Sequence, residues 1–250
     1  MLIDSHIHVG QFNDLYFAPS IIHRLMEQMR ISYYAVSSTT MCEENYPKVI
    51  DELQELIALD GEKVLPVMWI TPEGLKGNIA WFLESEIKWR CLKVHPFLHQ
   101  SDWCPGGEQF CEVIDIAREL QVPLLIHTGN EDCCQCGKYE TMIADNSDVT
   151  FILAHGRPLV QVRPMLRAYP NAYADTAFMP IKDISQLMQD GLSHKVLWGT
   201  DMCIPKHFYP EIDIFAYYSQ KLTAFKAVCS HEQGEQVLAT NAAHVFHINS

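Results

Sequence analysis

The sequence predicts an α/β protein built as a single (β/α)8 barrel of the TIM type, and two observations carry that expectation. Eight short β-branched or aliphatic runs recur along the chain, each followed by a longer amphipathic stretch, and no linker or low-complexity break interrupts the alternation. The length agrees, since 250 residues of which 48% are hydrophobic can bury one large core. In order, the runs are MLIDSHIH at the start, SYYAVSST from Ser32, KVLPVMWI from Lys63 and CLKVHPF from Cys91. They continue with VPLLIHTG from Val122, VTFILAHG from Val149, NAYADTAF from Asn171 and KVLWGTDM from Lys195. Most are apolar almost throughout, as parallel strands covered on both faces must be, and each ends in polar or glycine-containing turn residues. Helix-like segments lie between them: Ala18 to Met29, Pro47 to Asp60, Glu73 to Ile87, Glu108 to Leu120, Lys138 to Asp145, Pro158 to Ala168 and Ile181 to Asp190. A final pair, Pro210 to Val228 and His231 to Phe246, closes the chain. The expected organisation is one domain over residues 1–250. A doubly wound open sheet is the competing architecture, but no glycine-rich phosphate fingerprint follows the first run.

Composition narrows the function. A net charge of −13 and the lack of any basic run of five or more argue against binding a phosphate backbone. The first residues lack the basic region and apolar core of a signal peptide, and no apolar run approaches the roughly 18 residues of a membrane span. Nine cysteines, an odd count scattered through strands and helices, suit reduced thiols better than a disulfide framework. The expected setting is the cytoplasm, with a small-molecule substrate, no nucleic acid and no membrane; a homo-oligomer is left open.

The stretch DSHIHVG poses the chemical question. In an extended strand Asp4, His6 and His8 share one face, which reads either as a wet edge or as the start of a ligand set. Enzymes on this barrel build their sites at the C-terminal strand ends, so the other ends decide. The first run ends in His6 and His8, the fourth in Lys93 and His95, the fifth in His127, the sixth in His155 and the eighth in Asp201. One such histidine is an ordinary structural residue; five with a lysine and an aspartate, converging at one barrel mouth, would be costly to bury without metal or mutual hydrogen bonds. Neutral imidazoles and a carboxylate suit Zn2+ or Mn2+, and such an ion acidifies a water molecule towards neutrality.

These residues, within DSHIH, LKVHP, LIHTG, LAHGR, LWGTDM and the terminal TNAAHVF, resemble the amidohydrolase superfamily, and most closely its amidohydrolase-2 branch, over essentially the whole chain. The resemblance implies a metal-dependent hydrolase acting on a small-molecule ester, lactone or amide. It implies His6, His8, His127 and Asp201 as metal ligands, with His155 orienting or polarising the attacking water or else serving a second metal. Asp201 is expected to double as general base. Arg157 is a candidate anion contact whose other reading is a surface arginine. Lys93 is expected to be unmodified and to bind a substrate carboxylate or oxyanion beside one metal ion; the alternative is a carbamylated Lys93 bridging two. His95, on the same strand face, should also reach the pocket.

Two stretches depart from the family pattern. Cys133, Cys134 and Cys136 in EDCCQCG are spaced too tightly for a zinc knuckle and read as loop thiols that border the site. MCIPKHFYP after Asp201 offers Phe208 and Tyr209 either as a pocket wall or as packing for the last helix. Rival functions remain: a metal-dependent decarboxylase or hydratase of small unsaturated acids on the same fold, a TatD-like nuclease, a PHP-type phosphoesterase, and a catalytically inactive barrel serving as a binding protein. The nuclease normally has a glutamate where this chain has Lys93 and His95, the phosphoesterase needs ligands that cannot be placed, and an inactive barrel would be expected to have lost a ligand.

Overall fold

A computed structural model describes residues 1–98, 103, 105 and 107–248. Among the described residues nine strands form one sheet: β1 (Ile3–Phe12), β2 (Leu15–Phe17), β3 (Tyr33–Ser38), β4 (Val64–Trp69), β5 (Cys91–Val94), β6 (Leu124–His127), β7 (Phe151–Ala154), β8 (Ala172–Asp175) and β9 (Val196–Leu197). From β1 through β3 to β9 the neighbours are parallel and follow chain order. The ends meet, because Ser5 N–H donates to Trp198 O and Asp201 N–H to His6 O, each at 2.8 Å, and Ile7 bridges Met202. Eight parallel strands therefore close into a (β/α)8 barrel. The ninth, β2, is a short antiparallel partner for the end of β1 that the periodicity did not announce.

Alternation along the strands sorts their side chains into two cores. Leu124, Ile126, Phe151 and Leu153 face the helices, while Leu125 and Ile152 face the lumen with Ile3, Ala35, Leu65, Val67, Cys91 and Leu197. Val245 and Phe246 of the C-terminal helix pack against this lumenal layer. Two residues further along β5 and β6, the same face changes from apolar to polar groups: Cys91 gives way to Lys93 and Leu125 to His127.

Strand β1 breaks the simple rule. Between Asp4 and Ile7 it advances three residues against two on β3, a one-residue bulge. An extra residue turns every later side chain to the other face. Ile3, His6 and His8 consequently all reach the lumen, whereas Asp4 does not share a face with the two histidines, against the expectation from strict alternation.

The helices match the sequence reading except at three places. Helices α1 (Pro19–Met29), α2 (Tyr46–Asp60), α4 (Glu108–Leu120), α5 (Glu140–Asp145), α6 (Leu159–Ala168), α7 (Ile181–Gln189) and α9 (Ile214–Ala227) fall within the expected segments or a residue or two beyond them. The stretch from Glu73, with glycines at 74 and 77, forms a wide turn before the short helix α3 (Ile79–Leu83), as two poor helix formers in one turn lead one to expect. Pro205 starts an unexpected helix, α8 (Ile204–Phe208), just after Asp201. Helices α10 (His231–Glu235) and α11 (Asn241–Val245) flank a wide turn. Among the described residues, no helix is long and apolar enough to cross a membrane.

Candidate functional site

The bulge in β1 sends two imidazoles into the barrel mouth, and each is fixed from behind. His6 Nδ1 lies 2.9 Å from Asp175 Oδ2, and His8 Nδ1 lies 3.0 Å from Ser37 Oγ and 3.3 Å from Ser37 O. A ring whose Nδ1–H is donated to a carboxylate or carbonyl presents the lone pair of Nε2 forward, an arrangement typical of metal-binding histidines. Asp201 meets them there, its Oδ1 2.9 Å from His8 Nε2 and 3.4 Å from His6 Nε2. Lys93 Nζ completes the cluster, 3.1 Å from His6 Nε2, 3.2 Å from His8 Nε2 and 4.5 Å from the centre of the Trp69 ring.

A second group stands beside the first. His155 takes a left-handed backbone conformation at φ 67°, and its main-chain N–H donates to Asp175 Oδ1 at 2.9 Å. Its Nδ1 lies 3.2 Å from Ala177 O and its Nε2 lies 3.0 Å from His127 Nδ1. His127 in turn stacks on His95, ring centres 3.7 Å apart, and His95 stacks on Trp69 at 5.6 Å. The structure thus brings His6, His8 and Asp201 together, with their donor atoms within 4.8 Å of one another, and sets His127 against His155 outside that trio.

Asp175 is the residue that sequence reasoning missed. One carboxylate oxygen holds the His6 ring and the other accepts from the main-chain N–H groups of His155 and Ala177. Its position at the end of the seventh run, NAYAD, was the available signal. His8, Lys93, His95, His127, His155, Arg157 and Asp201 all line one cavity of about 390 Å3, and the Nε of Arg157 is buried there with no hydrogen-bond partner among the described residues. Phe208 and Tyr209 form part of its wall with Phe97 and Phe178, so the stretch after Asp201 contributes to the pocket. In the loop after β6, Glu131 reaches the cavity, while Cys134 and Cys136 are buried and Cys133 is half-buried. A larger cavity of about 770 Å3 opens at the other end of the barrel, beside Val64, Arg90 and His247, and holds none of these groups.

Burial and neighbouring charge determine which of these groups are ionised. Burial, with the Lys93 charge behind it, pulls the His8 imidazole down to about 3. It also pulls His155 down to about 4 and His127 well below its ordinary value. For Asp201 burial alone acts upward, but His6, His8 and His155 outweigh it and hold the carboxyl well below the usual range. Lys93 is drawn down to about 8 by burial, against the pull of Asp201. At neutral pH the His8, His127 and His155 imidazoles are therefore neutral and the Asp201 carboxylate is ionised. The buried Oδ1 of Asp201 has no hydrogen-bond partner among the described residues, so the 2.9 Å approach of His8 Nε2 is a close contact only. Two inward nitrogens and an unsatisfied buried carboxylate oxygen fit a divalent cation of borderline softness.

The same shifts give metal-free protein an acid-labile fold. His8, His127 and His155 each bind a proton near 6.5 when unfolded but only at lower pH when folded, so the stability they contribute is lost as pH falls below 6.5. Asp4 acts oppositely: burial raises its carboxyl to about 7, so acid favours its folded form. Three groups outweigh one, and the thermal midpoint of chelator-treated protein is expected to fall between pH 6.5 and 4. A midpoint that stays level or rises across that window would contradict it.

Comparison with known proteins identifies the family and the fold. A family model described as amidohydrolase matches residues 72–248. No curated protein matches the sequence. Among solved structures, the chain is similar to an uncharacterised TIM-barrel protein from Bordetella bronchiseptica at a TM-score of 0.73 and 16% identity, covering 98% of each chain. It is similar to a probable 2-pyrone-4,6-dicarboxylic acid hydrolase from Acinetobacter baumannii at 0.68 and 12%, covering 99% of each. It also resembles 5-carboxyvanillate decarboxylase from Sphingomonas paucimobilis at 0.70 and 12%, covering 99% of each. At these identities the likeness is one of fold.

Proposed function

This chain belongs to the amidohydrolase-2 branch of the amidohydrolase superfamily, and from that premise we propose that it is a metal-dependent hydrolase of a small-molecule ester, lactone or amide. The observation that carries the reading is the meeting of His6 Nε2, His8 Nε2 and the unsatisfied Oδ1 of Asp201. These three would hold the cation, Zn2+ or Mn2+, and His127, which stands beside them against His155, would supply the fourth ligand. When bound, the ion supplies Lewis acidity to a substrate carbonyl and to water. Asp201 accepts the proton that water loses and returns it to the leaving group. His155 donates or accepts at the polarised group and is held to that task by Ala177 O and Asp175.

Substrate recognition falls to the remaining cavity groups. The buried Arg157 Nε and the Lys93 ammonium offer two positive donors, which favours a substrate with a carboxylate or a developing oxyanion. His95 shapes the wall between Trp69 and His127. In this reading Lys93, whose Nζ lies beside both strand-one imidazoles, is unmodified and stands next to one ion, with the carbamate-bridged pair as the alternative. A carboxylate-binding pocket also supports decarboxylation on the same framework.

Elemental analysis of protein purified without chelator tests the reading, and at least one equivalent of Zn2+ or Mn2+ is expected. Protein that is metal-free and stays inactive on metal addition, across esters, lactones, amides and carboxylic acids, would defeat it. Release of CO2 without hydrolysis would move the assignment to decarboxylation.

A further inference from the structure

Behind the two carboxylates of the site stands a side chain from near the end of the chain. Lys221, on α9, donates from Nζ to the main-chain carbonyls of Thr176 at 2.8 Å and Gly199 at 3.4 Å, and lies 5.7 Å from the centre of the Trp198 ring. Thr176 directly follows Asp175, and Gly199 stands two residues before Asp201. The two are also laced to each other: Thr176 Oγ1 donates to Gly199 O at 3.0 Å and accepts from Gly199 N–H at 3.1 Å. Asp4, turned away from the lumen by the bulge, accepts from Thr200 N–H at 3.2 Å, from Thr200 Oγ1 at 2.7 Å and from His6 N–H at 3.2 Å.

An amine and a carboxylate therefore grip the segment from Gly199 to Asp201. The grip matters because Asp201 sits at φ 57°, a left-handed conformation that a non-glycine residue keeps only when its surroundings fix it. Lys221 also borders an apolar cavity of about 440 Å3 with Phe178, Met179, Ile184 and Tyr217. A hydrocarbon side chain in its place leaves the Thr176 carbonyl without this donor beside that cavity, and the turn must shift to find another.

We infer that Lys221 is a positioning residue: through its bonds to the Thr176 and Gly199 carbonyls it sets the directions of Asp175 and Asp201, and with them the hold of His6, His8 and Asp201 on a cation. The inference rests on the metal-dependent reading above. Burial draws the amine down to about 8 while Asp4, Asp175 and Asp201 pull it back, so the donor stays charged at neutral pH.

Titration of metal-stripped full-length protein with Co2+, followed by calorimetry and visible absorption, tests it. Lys221→Met is expected to lower Co2+ affinity roughly 10- to 100-fold and to displace the d–d bands, with the far-UV circular dichroism of the wild type retained. Lys221→Arg keeps charge and donors and is expected to recover most of the affinity. Should the Met variant fail to fold, Lys221→Gln, shorter and neutral, is read in the same way. Wild-type affinity and band positions in a folded Met or Gln variant would overturn the inference alone. A wild type that takes up no Co2+ would overturn the metal reading and the inference together.

Discussion

Asparagine in place of Asp201 is expected to lower kcat by roughly 10²- to 10⁴-fold while leaving the fold and a weakened metal contact in place. The two side chains have nearly the same shape, and the main-chain bond from Asp201 N–H to His6 O that closes the barrel does not involve the carboxylate. What changes is basicity: an amide cannot take the proton that water sheds as it attacks. The histidines hold the Asp201 carboxyl well below the usual carboxylate range, so it is ionised at any working pH, and such a weak base is effective only towards water that is itself acidified in the site. Steady-state kinetics with metal content measured on the same sample decides the matter. Near-normal kcat with metal still bound would pass the base role to His155 or His95. His155→Ala, which removes the ring contacting His127, is expected to impair turnover through lost orientation and charge stabilisation.

The architecture was legible because parallel strands buried on both faces leave continuous apolar runs, and a barrel repeats that signal eight times. The lumenal site was legible for the same reason, since Lys93 and His127 simply follow Cys91 and Leu125 on one face. Where register departs from strict alternation, sequence reading lost its footing. Nothing in DSHIH marks the extra residue that separates Asp4 from His6 and His8, because a bulge is set by how β1 meets β3 and Trp198, which are distant in sequence. Asp175 escaped notice for a related reason: it approaches His6 across 169 residues, and its own strand carries no histidine to flag it. Lys221 is further still from any pattern, since an isolated lysine in a helix reads as a solvated charge until its carbonyl partners are seen.

Replacing both His6 and His8 with alanine is expected to abolish metal binding and, with it, the stability that metal confers. The two rings supply two of the three donor atoms in the trio they form with Asp201, and one carboxylate with one remaining imidazole makes a poor site for Zn2+ or Mn2+. By linkage, an ion present at about 100 times its Kd stabilises the folded state by about 2.7 kcal/mol, and the variant forfeits all of that. The loss extends to metal-free protein, because His6 is the partner of Asp175 Oδ2 and both rings receive Lys93 Nζ. A buried group left without its partner costs roughly 1–3 kcal/mol, more when charged, and two alanines also leave unfilled volume at the mouth of the lumen. Thermal midpoints of wild type and variant, each with chelator and with added metal, separate the two parts: the chelated difference gives the packing and pairing loss, and the metal-dependent rise should vanish in the variant. Full metal occupancy, or an undiminished rise on adding metal, would make the strand-one histidines structural.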